Sequence, residues 1–265
     1  MTTEPWASYA AAAATSRVVV RELVTLDELQ DAAAVLGRIW GTPDHPPLSA
    51  ELLRAMGKAE SYVAGAFDAD RPRAGVVGVC VGFHSTPAAR AMHSHIAGVT
   101  DAVAGRHAGF ALKLHQRAWC LDRGIELTEW TYDPLVSRNA YFNLAKLGAR
   151  VAEYLPDFYG SMADPINRGD DSDRILVHWS LASPEVVQAC AGSPVRATVP
   201  SGAAASWVQV PRDIAGLRLA DPEQARAWRA KVRDQLVAAL DVGGRVAGFD
   251  KERGYLVLPR EGDLP

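Results

Sequence analysis

One stretch decides the fold: His93-Ser-His-Ile-Ala-Gly-Val99, then Thr100-Asp-Ala-Val-Ala-Gly-Arg-His-Ala-Gly109, then Phe110-Ala-Leu-Lys-Leu-His-Gln-Arg-Ala-Trp-Cys-Leu-Asp-Arg123. The first part reads as a strand. The last belongs to a helix from about Ala108 to Arg123, stopped by Gly124, a residue suited to the left-handed conformation that ends helices. Phe110, Leu114, Ala118 and Leu121 recur on one helical face, with Lys113, Gln116 and Arg117 off it. A strand, a glycine-containing loop and a helix start together make an anion site, because first-turn amides lack intrahelical acceptors and the helix dipole favours negative charge there. Arg106 would add a full positive charge. Gly105 and Gly109 serve equally for a tight connection that binds nothing.

Upstream, Val18–Val20 reads as a strand, and Thr25 with Glu28 forms a capping box for a helix whose apolar positions are Leu29, Ala33, Leu36 and Trp40. Gly41–Pro47 is a break, Leu48–Lys58 a short helix, and Tyr62–Phe67 and Gly75–Phe83 are strands, the second a β-branched run suited to burial. Downstream, Ile125–Tyr132 is a strand ending in Asp133-Pro134, Asn139–Leu147 a helix closed by Gly148, and Val151–Tyr154 and Ile175–Leu181 are strands around a polar loop, Met162–Asp173. This order describes an α/β mixed sheet flanked by helices. From Ser183 prolines punctuate a weakly patterned stretch; Asp221-Pro222 then starts a helix to Leu240, and a hairpin follows around Lys251–Gly254. The expected organisation is a flexible tail over 1–16, a main domain over 17–182, and an α+β C-terminal extension over 183–265 packed on that core.

The chain has 265 residues, 48% hydrophobic and 22% charged, with a net charge of −3. That balance excludes an intrinsically disordered chain, and a slightly acidic protein is no electrostatically driven nucleic-acid binder. Arg226, Arg229, Lys231 and Arg233 cluster, but Asp221, Glu223 and Asp234 sit among them, which reads as a solvated helix face. No apolar run reaches membrane-spanning length. Cys80, Cys120 and Cys190 form neither a disulfide framework nor a metal spacing, which points to a reducing, cytoplasmic setting. The start, MTTEPWASYAAAAATS, carries an early acid and no apolar core, unlike a secretion signal.

With these elements in order, the chain resembles the GNAT superfamily of N-acetyltransferases from about Arg17 to Leu181. Ala104-Gly-Arg-His-Ala-Gly109 occupies that family's pyrophosphate loop, a Gln/Arg-x-x-Gly-x-Gly/Ala pattern. Gly109 matches, whereas Ala104 replaces the usual Gln/Arg and His107 the first glycine. His93-Ser-His, Ala111-Leu-Lys-Leu-His-Gln-Arg, Trp130-Thr-Tyr-Asp-Pro-Leu, Ser137-Arg-Asn-Ala, Leu147-Gly-Ala, Asp157-Phe-Tyr-Gly and Ser172-Asp-Arg with Trp179 resemble a subgroup of predicted acyltransferases within it. The resemblance implies acyl transfer from acetyl-CoA or another acyl-CoA to an amine. Gly105, Arg106, His107, Ala108 and Gly109 would hold the pyrophosphate, the Val99 amide the oxyanion, and Asn139 would contact CoA.

A base must take the amine's proton. His93 and His95 share a strand face by alternation, and a similar His-x-His pair relays protons in the arylalkylamine N-acetyltransferases. The alternative is a pair of hydrogen-bonded core histidines. Glu129 is the secondary candidate, against a strand-end or salt-bridged carboxylate, and Asp133 the weaker one, against a turn opener. The family's usual acid, a tyrosine four residues before the glycine that closes the later helix, is Leu144 here; Tyr141 would reach that place only if the helix were rotated. Tyr154, Phe158 and Tyr159 read as core or as acceptor-pocket wall. No metal set is announced. The implied acceptor is a small-molecule amine, and the extension either covers the acceptor site or builds a homodimer interface. The rival reading is a non-catalytic module of the same fold that binds a ligand or partner.

Overall fold

A computed structural model describes residues 3–160 and 169–260. The chain divides into two compact units, residues 1–128 and 129–265, and the division falls inside a strand rather than near Leu181.

The first unit contains α1 (Glu4–Ser16), β1 (Val18–Glu22), α2 (Leu26–Trp40), α3 (Ala50–Lys58), β2 (Tyr62–Asp68), β3 (Val76–His84), β4 (Ala91–Val99) and α4 (Ala108–Asp122). Its strands lie in the order β1-β2-β3-β4, every pair antiparallel. Leu29, Leu36 and Leu53 of α2 and α3 form a core with Val63, Val79 and Val81 on one sheet face. The capping box is present, with Glu28 N donating to Thr25 Oγ1 at 3.3 Å and Thr25 N to the Glu28 carboxylate at 3.1 Å. On the other face α4 packs close enough that a Cβ on Gly78 would meet Leu112 Cδ1 at 3.2 Å.

The tail expected to be flexible is instead helix α1, which docks on α4. Five consecutive alanines are strong helix formers, and three side chains anchor the result. Trp6 Nε1 donates to Asp122 at 2.8 Å, and the Arg117 guanidinium donates both ways to Glu4 at 3.0 and 2.9 Å. Tyr9 Oη accepts from Val20 N at 2.9 Å and donates to Val20 O at 3.0 Å, which blunts the outer edge of β1. The polar residues off the apolar face of α4 are covered too: Lys113, His115, Gln116 and Arg117 are all buried.

The second unit takes in most of β5 (Leu127–Tyr132), then α5 (Ser137–Ala140), β6 (Arg150–Leu155), β7 (Arg174–Ser180), α6 (Pro184–Cys190), β8 (Ser206–Val208), α7 (Ile214–Ala220), α8 (Pro222–Asp241), β9 (Arg245–Asp250) and β10 (Gly254–Leu258). Strands run β5-β7-β6 in one sheet and β8-β10-β9 in a second. The fold is thus α/β, with an α+β extension built from the second sheet and its helices. The expected C-terminal helix and hairpin are α8 and β9–β10, and Asp221 caps α8 by accepting from Gln224 N at 3.0 Å. The helix expected over Asn139–Leu147 starts earlier and widens into a π-turn over Tyr141–Lys146. Leu147 N bonds back five residues to Phe142 O at 3.0 Å. Of the loop Met162–Asp173, residues 162–168 lie outside the described residues.

The basic cluster of α8 is a solvated face only in part: Arg226 and Lys231 are exposed, but Arg229 is 2% exposed. With Arg218 of α7, 4% exposed, Arg229 serves the carboxylates of Asp133 and Asp170. Asp133, weighed as a catalytic carboxylate, is one anchor of this buried network; its Oδ1 also accepts from Leu135 N at 2.9 Å, so it opens the turn as well.

Candidate active site

In the first unit the site residues lie on β4, on the loop after it, and on the start of α4. β4 carries a bulge: Val81 pairs with Ile96 and Gly82 with Ser94, so His95 is the extra residue. His93 and His95 do share a face, with ring centroids 6.1 Å apart, and Phe83 lies against both, at 5.1 and 5.6 Å. Loss of hydration pushes the His95 imidazole below its ordinary value. The bulge reverses the alternation that follows it. A Cβ on Gly98 would meet Trp40 and Ile39 of α2, whereas the Val99 side chain lies against Gly78 on the α4 face. Without the extra residue, 93, 95, 97 and 99 would all share one face.

Thr100 N donates to Val77 O at 2.9 Å, so Thr100 turns its backbone polar groups toward β3. Backbone direction alternates along a strand, and the Val99 N–H is therefore directed to the other side of β4. A single 3-10 turn follows at Asp101–Val103, then Gly105 at φ +76° and His107 at φ +64°. His107 stands in the left-handed region that glycine favours, at the position where the resembling family has glycine. A Cβ at Gly105 or Gly109 would meet nothing within 4 Å, leaving that side of the loop open to a bulky anion. The first intrahelical bond of α4 is donated by Phe110 to His107 O at 2.9 Å, so among the described residues the Ala108 and Gly109 amides have no backbone acceptor.

Arg106 does not serve the loop. Its guanidinium donates to Ser16 O at 3.1 Å, to Arg17 O at 2.7 Å and to Asp68 at 3.2 and 3.3 Å, tying the loop to the α1–β1 junction. Arg106 beside it holds the Asp68 carboxyl at about 2 against the smaller opposing effect of burial. The anion-binding charge expected from Arg106 is therefore committed elsewhere, and amides with the helix dipole remain. Replacing His107 by glycine is expected to keep or raise stability, by at most about 1 kcal/mol, since relief of left-handed strain is partly offset by a freer unfolded chain. A fall in the thermal midpoint would show instead that the imidazole is needed where it stands.

In the second unit, Glu129 lies on the less buried face of β5, and its Oε2 is 3.7 Å from His178 Nε2 on β7. Its ionic partner there is a histidine. Thr131, on the same strand face, meets Tyr159 Oη at 3.2 Å. Phe158 and Tyr159 are exposed, whereas Tyr154 is buried and donates to Asp173 at 2.6 Å. Asn139 is half-buried in α5, its N donating to Val136 O at 2.9 Å. Leu144 is buried, and the Tyr141 ring lies under the Lys251 ammonium at 4.2 Å, lining a cleft of about 830 Å³ with Arg196, Phe249 and Arg253. Tyr141 is thereby turned to the extension, not toward the place of Leu144.

Sequence reasoning passed over a polar cluster behind the histidines, formed by Ser94, Lys113 and Gln116. Its signal was the helical spacing of Lys113 and Gln116, legible as a buried feature only once α4 is known to pack against β4. Among the described residues no group of three or more His, Cys, Asp or Glu side chains is placed to hold a metal ion, and no helix is long and apolar enough to cross a membrane.

No protein-family model matches the chain, and no curated protein matches it. Solved structures that align with it include acetyltransferases. A GNAT-family acetyltransferase from Streptococcus pneumoniae is 13% identical, covering 61% of this chain and 97% of its own, with a TM-score of 0.49. The ribosomal-protein-S18-alanine N-acetyltransferase from Escherichia coli is also 13% identical, covering 63% and 95%, with a TM-score of 0.49. Aminoglycoside 6'-acetyltransferase type Ii is 19% identical, covering 62% and 98%, with a TM-score of 0.48.

Proposed function

We propose that the protein is an acyl-CoA-dependent N-acyltransferase of GNAT type, in which a small-molecule amine attacks the thioester directly. The observation that carries this reading is the segment from 93 to 109. It combines two histidines on one face, a strand-end amide directed off β3, a loop with positive φ at 105 and 107, and a helix start with open amides. In this mechanism the nitrogen forms its bond to the thioester carbon while the carbonyl electron pair moves onto oxygen, where the Val99 amide donates. The intermediate collapses, the carbon–sulfur bond breaks, and CoA leaves as thiolate. The proton released by the nitrogen passes to His95 or His93, imidazole being the side chain that suits that role near neutral pH. Amides of residues 105–109 and the α4 dipole would hold the pyrophosphate. Asn139 and Glu129 are assigned to CoA contact and to secondary proton handling, the latter with His178 beside it.

The buried Leu144 favours a second reading, a module of the same fold that binds CoA or another ligand without turnover. Thermal unfolding with CoA and acetyl-CoA comes first. Binding at a hundredfold excess over Kd is expected to add about 2.7 kcal/mol and raise the midpoint. No response at millimolar CoA would overturn both the acyltransferase and the CoA-binding module. Release of free thiol over a panel of amines then separates catalyst from binder.

A further inference from the structure

The cleft of about 830 Å³ beside Tyr141 shares no lining residue with the acyl-transfer reading. Part of its lining is a strap, Ser193-Pro-Val-Arg-Ala-Thr-Val199, followed by Pro200. A proline fixes its own φ and keeps the residue before it extended, so Pro194 and Pro200 stiffen the strap at both ends. Two contacts fasten it. Val195 N donates to Ala145 O of the π-turn at 2.8 Å. Ala197 lies so close to β9 that a Cβ on Gly248 would meet its Cβ at 3.0 Å and its Cα at 3.1 Å. The end of β9, with Phe249 and Asp250, and the turn residue Arg253 complete the lining.

The charge of this cleft is one-sided. Arg196 and Arg253 line it, and Lys251 stands at Tyr141, its ammonium 4.2 Å from the ring centroid. Asp250 is the one acid among the described lining residues. Its Oδ1 already accepts from Glu252 N and Arg253 N, both at 3.0 Å, and so caps the β9–β10 turn. Arg253 Nε is 3.9 Å from that oxygen, and its guanidinium lies 4.0 Å over Trp207. Glu252 pairs with Arg212 at 2.9 Å. Among the described residues Arg196 has no acid as partner. A lone arginine on an open surface is simply solvated. Three cations around one concave, backbone-fastened cleft instead raise the local concentration of anions. Guanidinium forks match the oxygens of phosphate and carboxylate groups, and Thr198 and Tyr141 add neutral donors. The volume falls in the range of roughly 300–1,000 Å³ that small-molecule sites occupy.

We propose that this cleft binds a small polyanion, a molecule carrying two or more phosphate or carboxylate groups, through Arg196, Lys251 and Arg253. The site does not depend on the acyl-transfer reading.

The test titrates the full chain with inorganic pyrophosphate and with citrate by calorimetry, at about 50 mM salt so that screening is weak. The wild type is expected to bind at least one of them saturably, with a Kd below about 1 mM. Arg196→Glu and Arg253→Glu each weaken that binding about tenfold or more, because a charge-assisted contact becomes a repulsion, and together they abolish it. Arg226→Glu, an exposed position of α8 outside the lining, leaves Kd within about twofold. A tighter Kd for pyrophosphate assigns the site to phosphate compounds, and a tighter one for citrate to carboxylates. Failure of both anions to saturate the wild type by about 10 mM overturns the proposal. So does the same isotherm in the wild type and the double variant, which would place the anion elsewhere, as at the loop of residues 105–109. An equal loss in Arg226→Glu overturns it too, since net charge alone would then account for the binding. If the double variant does not fold, Arg196→Gln at its exposed position carries the test, with the same weakening expected.

Discussion

Replacing Arg229 by alanine is expected to lower the unfolding free energy by about 3–5 kcal/mol, seen as a fall in the urea midpoint. Arg229 donates to both oxygens of Asp133, at 2.8 and 3.1 Å, and to Asp170 at 2.9 Å. Arg218 is the other cation, donating to Asp133 at 2.6 Å and to Asp170 at 3.0 Å. Two carboxylates and two guanidinium groups thus balance in a space nearly closed to water. Removing one guanidinium leaves two buried carboxylates facing a single cation, which is why the expected loss exceeds that of any surface ion pair. Arg229→Lys is expected to fall between, because it keeps charge but loses the fork that reaches both acids.

The same network has a pH signature. Burial by itself would raise the Asp133 carboxyl, but hydrogen bonds and charge from Arg229, with Arg218, outweigh it and hold the group at about 2. A folded value below the unfolded value of about 3.9 stabilises the native state fully above about pH 4, and that contribution is lost as pH falls through about 2. In the Arg229→Ala protein acid unfolding is expected at higher pH than in the wild type. A stability loss under about 1 kcal/mol, with acid unfolding unmoved, would mean that the network is solvated after all.

Exchange of both His93 and His95 for alanine is expected to lower the rate of acyl transfer by about 10²–10⁴-fold, the range for a general base. If CoA is held by amides of residues 105–109, as proposed, its binding should survive, so the thermal shift with CoA stays while turnover goes. The double exchange is the informative one, because rings 6.1 Å apart on one face can substitute for each other. Desolvation lowers the His95 pKa, so its imidazole stays neutral to a lower pH than an ordinary histidine. The acidic limb of the rate profile is accordingly expected below about 6.5. An unchanged rate in the double variant would remove the base assignment and direct attention to Glu129 and His178.

Much of this was legible from the chain. Strands and helices of the stretch 18–132 fall where apolar spacing, the Thr25–Glu28 box and the stop at Gly124 place them. These are local signals, set by period and by cap chemistry within a few residues. The helix over Glu4–Ser16 was missed because its alanine tract has no strong apolar stripe, and what holds it is Trp6, Tyr9 and Glu4 meeting residues up to 116 positions away. The same distance effect hid the buried character of Lys113 and Arg229. On a helix read alone a cation belongs to the solvent, and only a second layer converts it into an interior group.

The candidate site divides along the same line. Sequence by itself determined the order of elements, the strand–loop–helix connection over 93–123 and the shared face of His93 and His95, since each depends on spacing within one segment. Tertiary structure alone decided that Arg106 is spent on Asp68 and the α1–β1 junction, that His107 takes a glycine-like φ, and that β4 bulges at His95. It also decided that Ser94 is gripped from α4. The physical reason is common to all four. A side chain's ionic partner, a backbone's forced dihedral and a ladder's register are set by what packs against them from elsewhere in the chain, and no local pattern encodes that neighbour.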